Sequence, residues 1–374
     1  MRFRVIAGPI AGFVAAILLL AACENREYST ASSADGATSV PTVTNTLRLE
    51  AVSGPLISRS TLARLSRPGF HPAWMRLADN GNPDTKGNKA GVYVSQFYGS
   101  EIGGYKSDNE KNSAPVCEVP SVEDVNGIAT DQTGKLYVPQ ELQSQSGGSY
   151  GEITVYAPNC GKHLKTLTSD DPMLNAAVDG TTVYGMDNVG AGPTLVSVYA
   201  NGSTSPTSFL KGPTSPSGYS TINGYAIAVD SQHNVFVSVY APDSDWNAEV
   251  IEFPGGQMPA TQLSGTLWID ADFPAGVLVD KQNNLLMVNP VNNSSVAIYA
   301  PPYTGSAIAT IVLNGAASYC ALNHTEKLLY CTDYQYGSVD VYKYPSGLYL
   351  YSFTNGLNWN NVPEGIALKP AAPL

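Results

Sequence analysis

Apolar residues alternate with polar ones along most of this chain, in short runs broken by Asp, Asn, Gly and Ser. Asn126 to Val138, NGIATDQTGKLYV, carries the pattern in its simplest form. Two alternating runs flank a turn at Asp131 to Gly134, which predicts a tight β-hairpin. The same pattern recurs as GYAIAVDSQHNVFVSVY from Gly224, AGVLVDKQNNLLMVNP from Ala275 and SYCALNHTEKLLYCTDY from Ser318. A looser copy, NAAVDGTTVYGMDN, starts at Asn175. After each hairpin comes a third run with its own signature: ITVYAP from Ile153, LVSVYA from Leu195, EVIEFP from Glu249, SVAIYAP from Ser295 and SVDVYKYP from Ser338.

The second strand of each unit can be anchored on Tyr93, Tyr137, Tyr184, Phe236, Leu286 and Tyr330. Their spacing runs from 44 residues (Tyr93 to Tyr137) to 52 (Tyr184 to Phe236), the repeat length of a four-stranded propeller blade. The chain lacks the longer 3.6-periodic stretches that a helical solenoid requires. The prediction is an all-β fold, a six-bladed β-propeller with four-stranded blades over residues 90–374. VPEGIALKP, from Val362, copies an inner strand with no hairpin partner after it, while AGVYVSQFYG, from Ala90, begins at a second strand. The C-terminal strand is therefore expected to close the first blade. Trp74 to Asp79 is the rival for that place.

Residues 1–22 place Arg2 and Arg4 before an apolar run, the layout of a secretory signal. Residues 23–46 are rich in Ser, Thr, Ala and Gly and read as a flexible tether. Residues 47–89 form an N-terminal extension, whose Arg59, Arg64, Arg67 and Arg76 read as a solvated face. With a net charge of −11 and no basic stripe, the chain is not expected to bind nucleic acid. Beyond Cys23 there are four cysteines, and an exported chain favours disulfides between them. Cys320 and Cys331 lie symmetrically about one hairpin turn. Cys117 and Cys160 sit near the outer strands of consecutive units. Other pairings remain open at this stage.

Leu20-Ala21-Ala22-Cys23 resembles the lipobox of bacterial lipoproteins. The resemblance implies cleavage before Cys23, acylation of that residue and attachment to a membrane, and several acyl chains anchor stably where one does not. Glu24, rather than Asp, points to the periplasmic face of the outer membrane or the cell surface. The inner hairpins and VYAP-type third strands resemble NHL-type repeats and, more broadly, TolB-like six-bladed propellers, over about residues 90–370. SVDVYKYPSGLYLYSF resembles a group of bacterial lipoproteins built of such repeats. Relatives of this architecture include gluconolactonase-like metal hydrolases, lyases and non-catalytic binding scaffolds, so fold does not select chemistry.

In a propeller, the loops entering the inner strands and leaving the second strands share one face around the central channel. That face is expected to carry Asn126, Asn223 and Glu364 at the entries. Gln96, Gln140, Asp187, Asn188, Tyr240, Asn289 and Asp333 fall at the exits. Asp131, Asp179, Asp230 and Asp280 recur with the repeat but fall in the opposite turns, where Asx capping explains them. The gluconolactonase-like family holds a divalent metal with a Glu, an Asn and an Asp at inner-strand starts. Glu364-Gly365 and Asn126-Gly127 resemble two of these; Asn223 and Asp272 are only nearby candidates for the third, which weakens metal-assisted hydrolysis. None of the four histidines, His71, His163, His233 and His324, is placed at the channel, which argues against imidazole base catalysis. Trp246, Trp268 and Trp359 are expected to anchor blades. The expectation is a lipid-anchored, non-catalytic binding module without a cofactor, recognising a small molecule or an envelope protein. A hydrolase using Ca²⁺ or another divalent metal at Asn126 and Glu364 is the alternative.

Overall fold

A computed structural model describes residues 89–369 apart from 98, 108, 121, 123–124, 144–148, 188–193, 213–222, 241–247, 263–274, 291–293, 304–305 and 358–361. The signal, Cys23, the tether and the extension up to residue 88 thus lie outside the described residues, as do Asn188, Asp272 and all four tryptophans. The side chains of Asn223 and Tyr240 lie outside them too.

Among the described residues, twenty-four strands form six antiparallel sheets of four. β1 (Val92–Gln96), β2 (Glu101–Tyr105) and β3 (Cys117–Pro120) belong to blade one. Blade two is β4 (Ala129–Thr130), β5 (Leu136–Gln143), β6 (Ser149–Tyr156) and β7 (His163–Ser169). Blade three is β8 (Met173–Asp179), β9 (Thr182–Asp187), β10 (Thr194–Tyr199) and β11 (Ser208–Lys211). Blade four is β12 (Asn223–Val229), β13 (Val235–Tyr240), β14 (Ala248–Phe253) and β15 (Thr261–Gln262). Blade five is β16 (Val277–Val279), β17 (Leu285–Asn289), β18 (Ser295–Tyr299) and β19 (Ala309–Val312). Blade six is β20 (Ala317–Leu322), β21 (Leu328–Asp333), β22 (Ser338–Lys343) and β23 (Leu348–Phe353). β24 (Pro363–Leu368) then returns to blade one and pairs with β1, Val92 opposite Leu368 and Val94 opposite Ile366. The inner edge of β1 is thereby occupied by β24; Trp74 to Asp79 lies outside the described residues.

The inner strands neighbour one another in the order β24, β4, β8, β12, β16, β20 and back to β24, which closes the ring. The six anchors Tyr93, Tyr137, Tyr184, Phe236, Leu286 and Tyr330 are all buried. One residue per unit thus fills the space between sheets that cannot bury their apolar faces alone. A fully buried Phe or Leu of this kind contributes on the order of 2 kcal/mol. Several tyrosines also tie adjacent blades. The Tyr93 hydroxyl accepts from Asn159 N at 2.8 Å, and the Tyr344 hydroxyl donates to Asp280 Oδ2 at 2.6 Å.

Both cysteine pairs are disulfides. Cys320 and Cys331 are register partners across the β20–β21 hairpin, Cα atoms 4.0 Å apart. Cys117 bonds Cys160 with Cα atoms 5.8 Å apart, joining blade one to blade two. Gly104 lies under that bridge, where an added Cβ would meet Cys117 Sγ at 2.6 Å. Disulfides persist in oxidising surroundings, so they point to an extracellular or envelope compartment. No helix among the described residues is long and apolar enough to cross a membrane.

The recurrent turn acids behave as caps. Asp131, Asp230 and Asp280 each accept the backbone N–H two residues on, at 2.8–2.9 Å, and a second one four residues on. Blade six has Asn323 in this role, accepting from Lys327 N at 2.9 Å. Asp179 differs: it meets His233 Nδ1 of blade four at 2.5 Å. Its turn is already tightened by Gly180, at φ 57°.

Candidate functional site

Four of the six inner strands enter the ring through a local irregularity. The register shifts by one residue between Val94 and Gln96, Met173 and Asn175, Gly224 and Ala226, and Ala317 and Cys320 or their partners. A bulge of this kind re-aims one side chain. Counting back five residues from the turn residues Asp131, Asp179, Asp230, Asp280, Asn323 and Lys369 gives Asn126, Leu174, Tyr225, Ala275, Ser318 and Glu364. These six are one position, repeated around the axis.

Three second-strand hydroxyls hold the entrances together. Ser95 Oγ accepts from Gly365 N at 2.8 Å and donates to Asn126 O of blade two at 2.7 Å. Ser238 Oγ accepts from Ala226 N at 3.0 Å and donates to Ala275 O of blade five at 3.1 Å. Thr332 Oγ1 accepts from Tyr319 N at 3.2 Å and lies 2.7 Å from Glu364 O of blade one. The bulged N–H is thus satisfied within its own blade, and the carbonyl of the next blade receives the hydroxyl proton. This approach is so close that a Cβ on Gly365 would lie 2.1 Å from Asn126 O.

Glu364 is the one carboxylate among the six axial positions. It is buried, and its two oxygens accept from blades on different sides of the ring. Tyr225 of blade four donates to Oε1 at 2.9 Å, and Ser318 of blade six donates to Oε2 at 3.0 Å. The Tyr319 hydroxyl donates to Tyr225 O at 3.1 Å, and the two rings stack with centroids 5.5 Å apart at 11°. These residues fill the axis with a polar, aromatic plug. Burial raises the Glu364 carboxyl to about 7, against the two hydroxyl bonds that lower it. Burial and the neighbouring Glu364 likewise hold Tyr225 and Tyr319 well above the usual phenol range, so both are protonated donors.

The remaining expected positions are distributed around this plug. Asn126 is buried beside Glu364 in the ring, and its Oδ1 has no hydrogen-bond partner among the described residues. Gln96 ends β1; its Nε2 donates to Gly356 O at 3.4 Å and its Oε1 is unpartnered among the described residues. Asp187 ends β9 fully buried, accepts from Ser197 Oγ at 2.9 Å and is raised by burial to about 7. Asp333 ends β21, accepts from Gln335 N at 2.8 Å and Tyr336 N at 3.0 Å, and is also raised by burial to about 7. Asn289 ends β17 and is buried. Gln140 differs from the expected strand exit, because β5 runs on to Gln143. It is buried within the sheet, donating to Thr154 Oγ1 at 3.0 Å and Glu152 Oε1 at 3.2 Å. Asn223 and Tyr240 are backbone partners at the open end of β12 and β13.

Sequence reading did not single out Tyr225, Ser318 or Tyr319. The signal that finds Tyr225 and Ser318 is the fixed offset of five residues from the turn, which selects Tyr225, and not Asn223, as the equivalent of Glu364. Among the described residues, no three His, Cys, Asp or Glu side chains converge as metal ligands.

No protein-family model matches the chain, and no curated protein sequence matches it. Solved structures do. A chain of a nidogen/laminin complex superposes with a TM-score of 0.56 at 16% identity, over 76% of this chain and 100% of that one. Proposed 6-phosphogluconolactonases from Bacteroides fragilis and Bacteroides uniformis give TM-scores of 0.52 and 0.50. Their identities are 9% and 13%, over 76% and 75% of this chain and 99% of each of theirs. The kinship is one of fold. Proteins this distant share the arrangement of blades while their channel residues diverge, so the chemistry must be argued from this chain's own axis.

Proposed function

We propose that this is an exported, lipid-anchored propeller that binds a polar ligand or an envelope protein at its channel face and catalyses no reaction. The observation that carries the reading is the occupation of Glu364. Both its oxygens are taken by Tyr225 and Ser318, and the equivalent positions in the other blades are Asn126, Leu174, Tyr225, Ala275 and Ser318. A catalytic divalent metal needs ligands that converge and an open coordination position. Here one carboxylate meets hydroxyl donors instead. Around it, Gln96 Oε1 and Asn126 Oδ1 are buried acceptors without partners among the described residues. Such atoms favour a ligand that brings donors, such as hydroxyls or an amine. Asp187, Asn223, Tyr240, Asn289 and Asp333 complete the proposed binding face; Gln140, bonded inside its sheet, is not part of it. Cys23 is the proposed lipidation site, holding the propeller at the periplasmic face of the outer membrane or at the cell surface.

A metal-dependent, lactonase-like hydrolase is the second reading, favoured by the adjacency of Glu364-Gly365 and Asn126-Gly127. Residues Glu364 and Asn126 would hold the metal, which would polarise a carbonyl or activate water when bound. Titration calorimetry with Ca²⁺, Mn²⁺ and Zn²⁺ on wild type and Glu364→Ala, paired with gluconolactone hydrolysis, separates the two. The binding-module reading expects no turnover and any metal heat unchanged by the substitution. Metal-dependent turnover abolished in Glu364→Ala would establish the hydrolase.

A further inference from the structure

A second group of oxygens lies on the outer half of blade one, away from the axis. Glu101, Gly103 and Tyr105 share one face of β2, since side chains alternate along a strand. Glu118 of β3 is the register partner of Gly103 and therefore faces the same way. Gly103 leaves room that Tyr105 occupies by leaning back along the strand. A Cβ at Gly103 would lie 2.9 Å from Tyr105 Cε2 and 3.1 Å from its hydroxyl. The hydroxyl thus sits above Gly103, with Glu101 beside it on its own strand and Glu118 across from it. Blade six covers the site: Phe353 packs 5.0 Å from the Tyr105 ring, and a Cβ at Gly356 would lie 3.0 Å from the hydroxyl.

Tyr105 is fully buried, and its hydroxyl has no hydrogen-bond partner among the described residues. The described residues also provide no ion pair to either glutamate. Burial, and then the charge of Glu118, push the Glu101 carboxyl up to about 7. Burial, followed by both glutamate charges, holds Tyr105 far above the usual phenol range. Two half-buried carboxylates on one face of the sheet and a fully buried, orphaned hydroxyl are each costly when uncompensated. One positive charge among them would relieve all three.

We propose that Glu101, Glu118 and the Tyr105 hydroxyl form a binding site for a hard divalent cation, calcium. The donors are all oxygen, with neither imidazole nor thiolate, the set that suits calcium over zinc or copper. Few protein ligands leave room for water in its shell and place the affinity in the weak range of extracellular modules, about 10⁻⁴–10⁻³ M. The three ligands all come from blade one, under the cover of blade six, so calcium there ties β2 to β3 beside the junction that β24 completes. It is separate from Glu364 and does not depend on how the axis is used.

The test is thermal unfolding of the full chain at about pH 8 in EDTA and in millimolar CaCl₂, with NaCl matching ionic strength, for wild type, Glu101→Gln, Glu118→Gln and Glu364→Ala. Calcium is expected to raise the wild-type Tm by about 2–4 °C. The rise disappears in both Gln variants and persists in Glu364→Ala. In EDTA each Gln variant is at least as stable as wild type, since a like-charge contact is gone; that separates lost binding from misfolding. An unchanged wild-type Tm overturns the site, and so does a rise that survives both Gln substitutions. A rise that NaCl reproduces, or one that only Glu364→Ala abolishes, overturns it as well.

Discussion

Replacing Glu364 with Gln isolates the cost of placing an acid on the axis. Its carboxyl is raised from 4.5 to about 7 by full burial. Below about pH 4.5 the group is protonated whether the chain is folded or unfolded, and it costs nothing. As pH rises, the unfolded chain releases its proton first, and folding must pay to keep the native group neutral until about pH 7. A shift of that size, at about 1.4 kcal/mol per pH unit, amounts to roughly 3 kcal/mol of stability withheld above neutrality. Gln is isosteric and never ionises. Its carbonyl still accepts from Tyr225, and its amide donates to a rotated Ser318 hydroxyl. Urea unfolding of both proteins from pH 4.5 to 8 should therefore show similar stability at the acid end. Toward pH 8, Glu364→Gln should become the more stable by up to about 3 kcal/mol. Asp187 and Asp333, also raised to about 7, impose the same slope on both proteins and cancel in the difference. Equal stability at pH 8 would refute the argument, as would a Gln variant weakened by the same amount at every pH.

Thr332→Val keeps the shape of the clip between blades six and one and removes its hydroxyl, leaving Tyr319 N–H and Glu364 C=O without it. The expected loss is about 1–3 kcal/mol in urea unfolding; a change under about 0.5 kcal/mol would show that water replaces the hydroxyl at no cost. Cys23→Ser is expected to abolish incorporation of labelled palmitate and to release the protein from the membrane fraction, while undiminished labelling would remove the proposed anchor.

The blades were legible because they are local. Asp131, Asp230 and Asp280 mark hairpin turns whose alternation fixes which residues enter the core, and Tyr93 through Tyr330 recur once per sheet. Closure was legible too, since VPEGIALKP is a strand missing its partner. Cys320 opposite Cys331 follows from the same hairpin arithmetic; Cys117 with Cys160 is one of the pairings the repeat allows, and the structure selects it. The axis was not legible in this way. Tyr225 meets Glu364 across 139 residues of chain, from a blade on the opposite side of the ring. That contact depends on channel width and on a one-residue bulge, neither of which the alternation encodes. Gln140 shows the same limit on a smaller scale: the end of β5 is set by pairing with β6 as far as Ser149, beyond the hairpin that predicted it.

β24 brings residues some 270 positions apart into one sheet, Ser95 against Gly365. Loop closure over that span is a late event, because the intervening blades must stack before their ends can meet. The ring therefore stays a crescent until this last strand docks, and that strand also carries the one acid among the six axial positions. A chain cut before Pro363 lacks both its latch and its axial acid, so one truncation removes ring closure and the centre of the plug together.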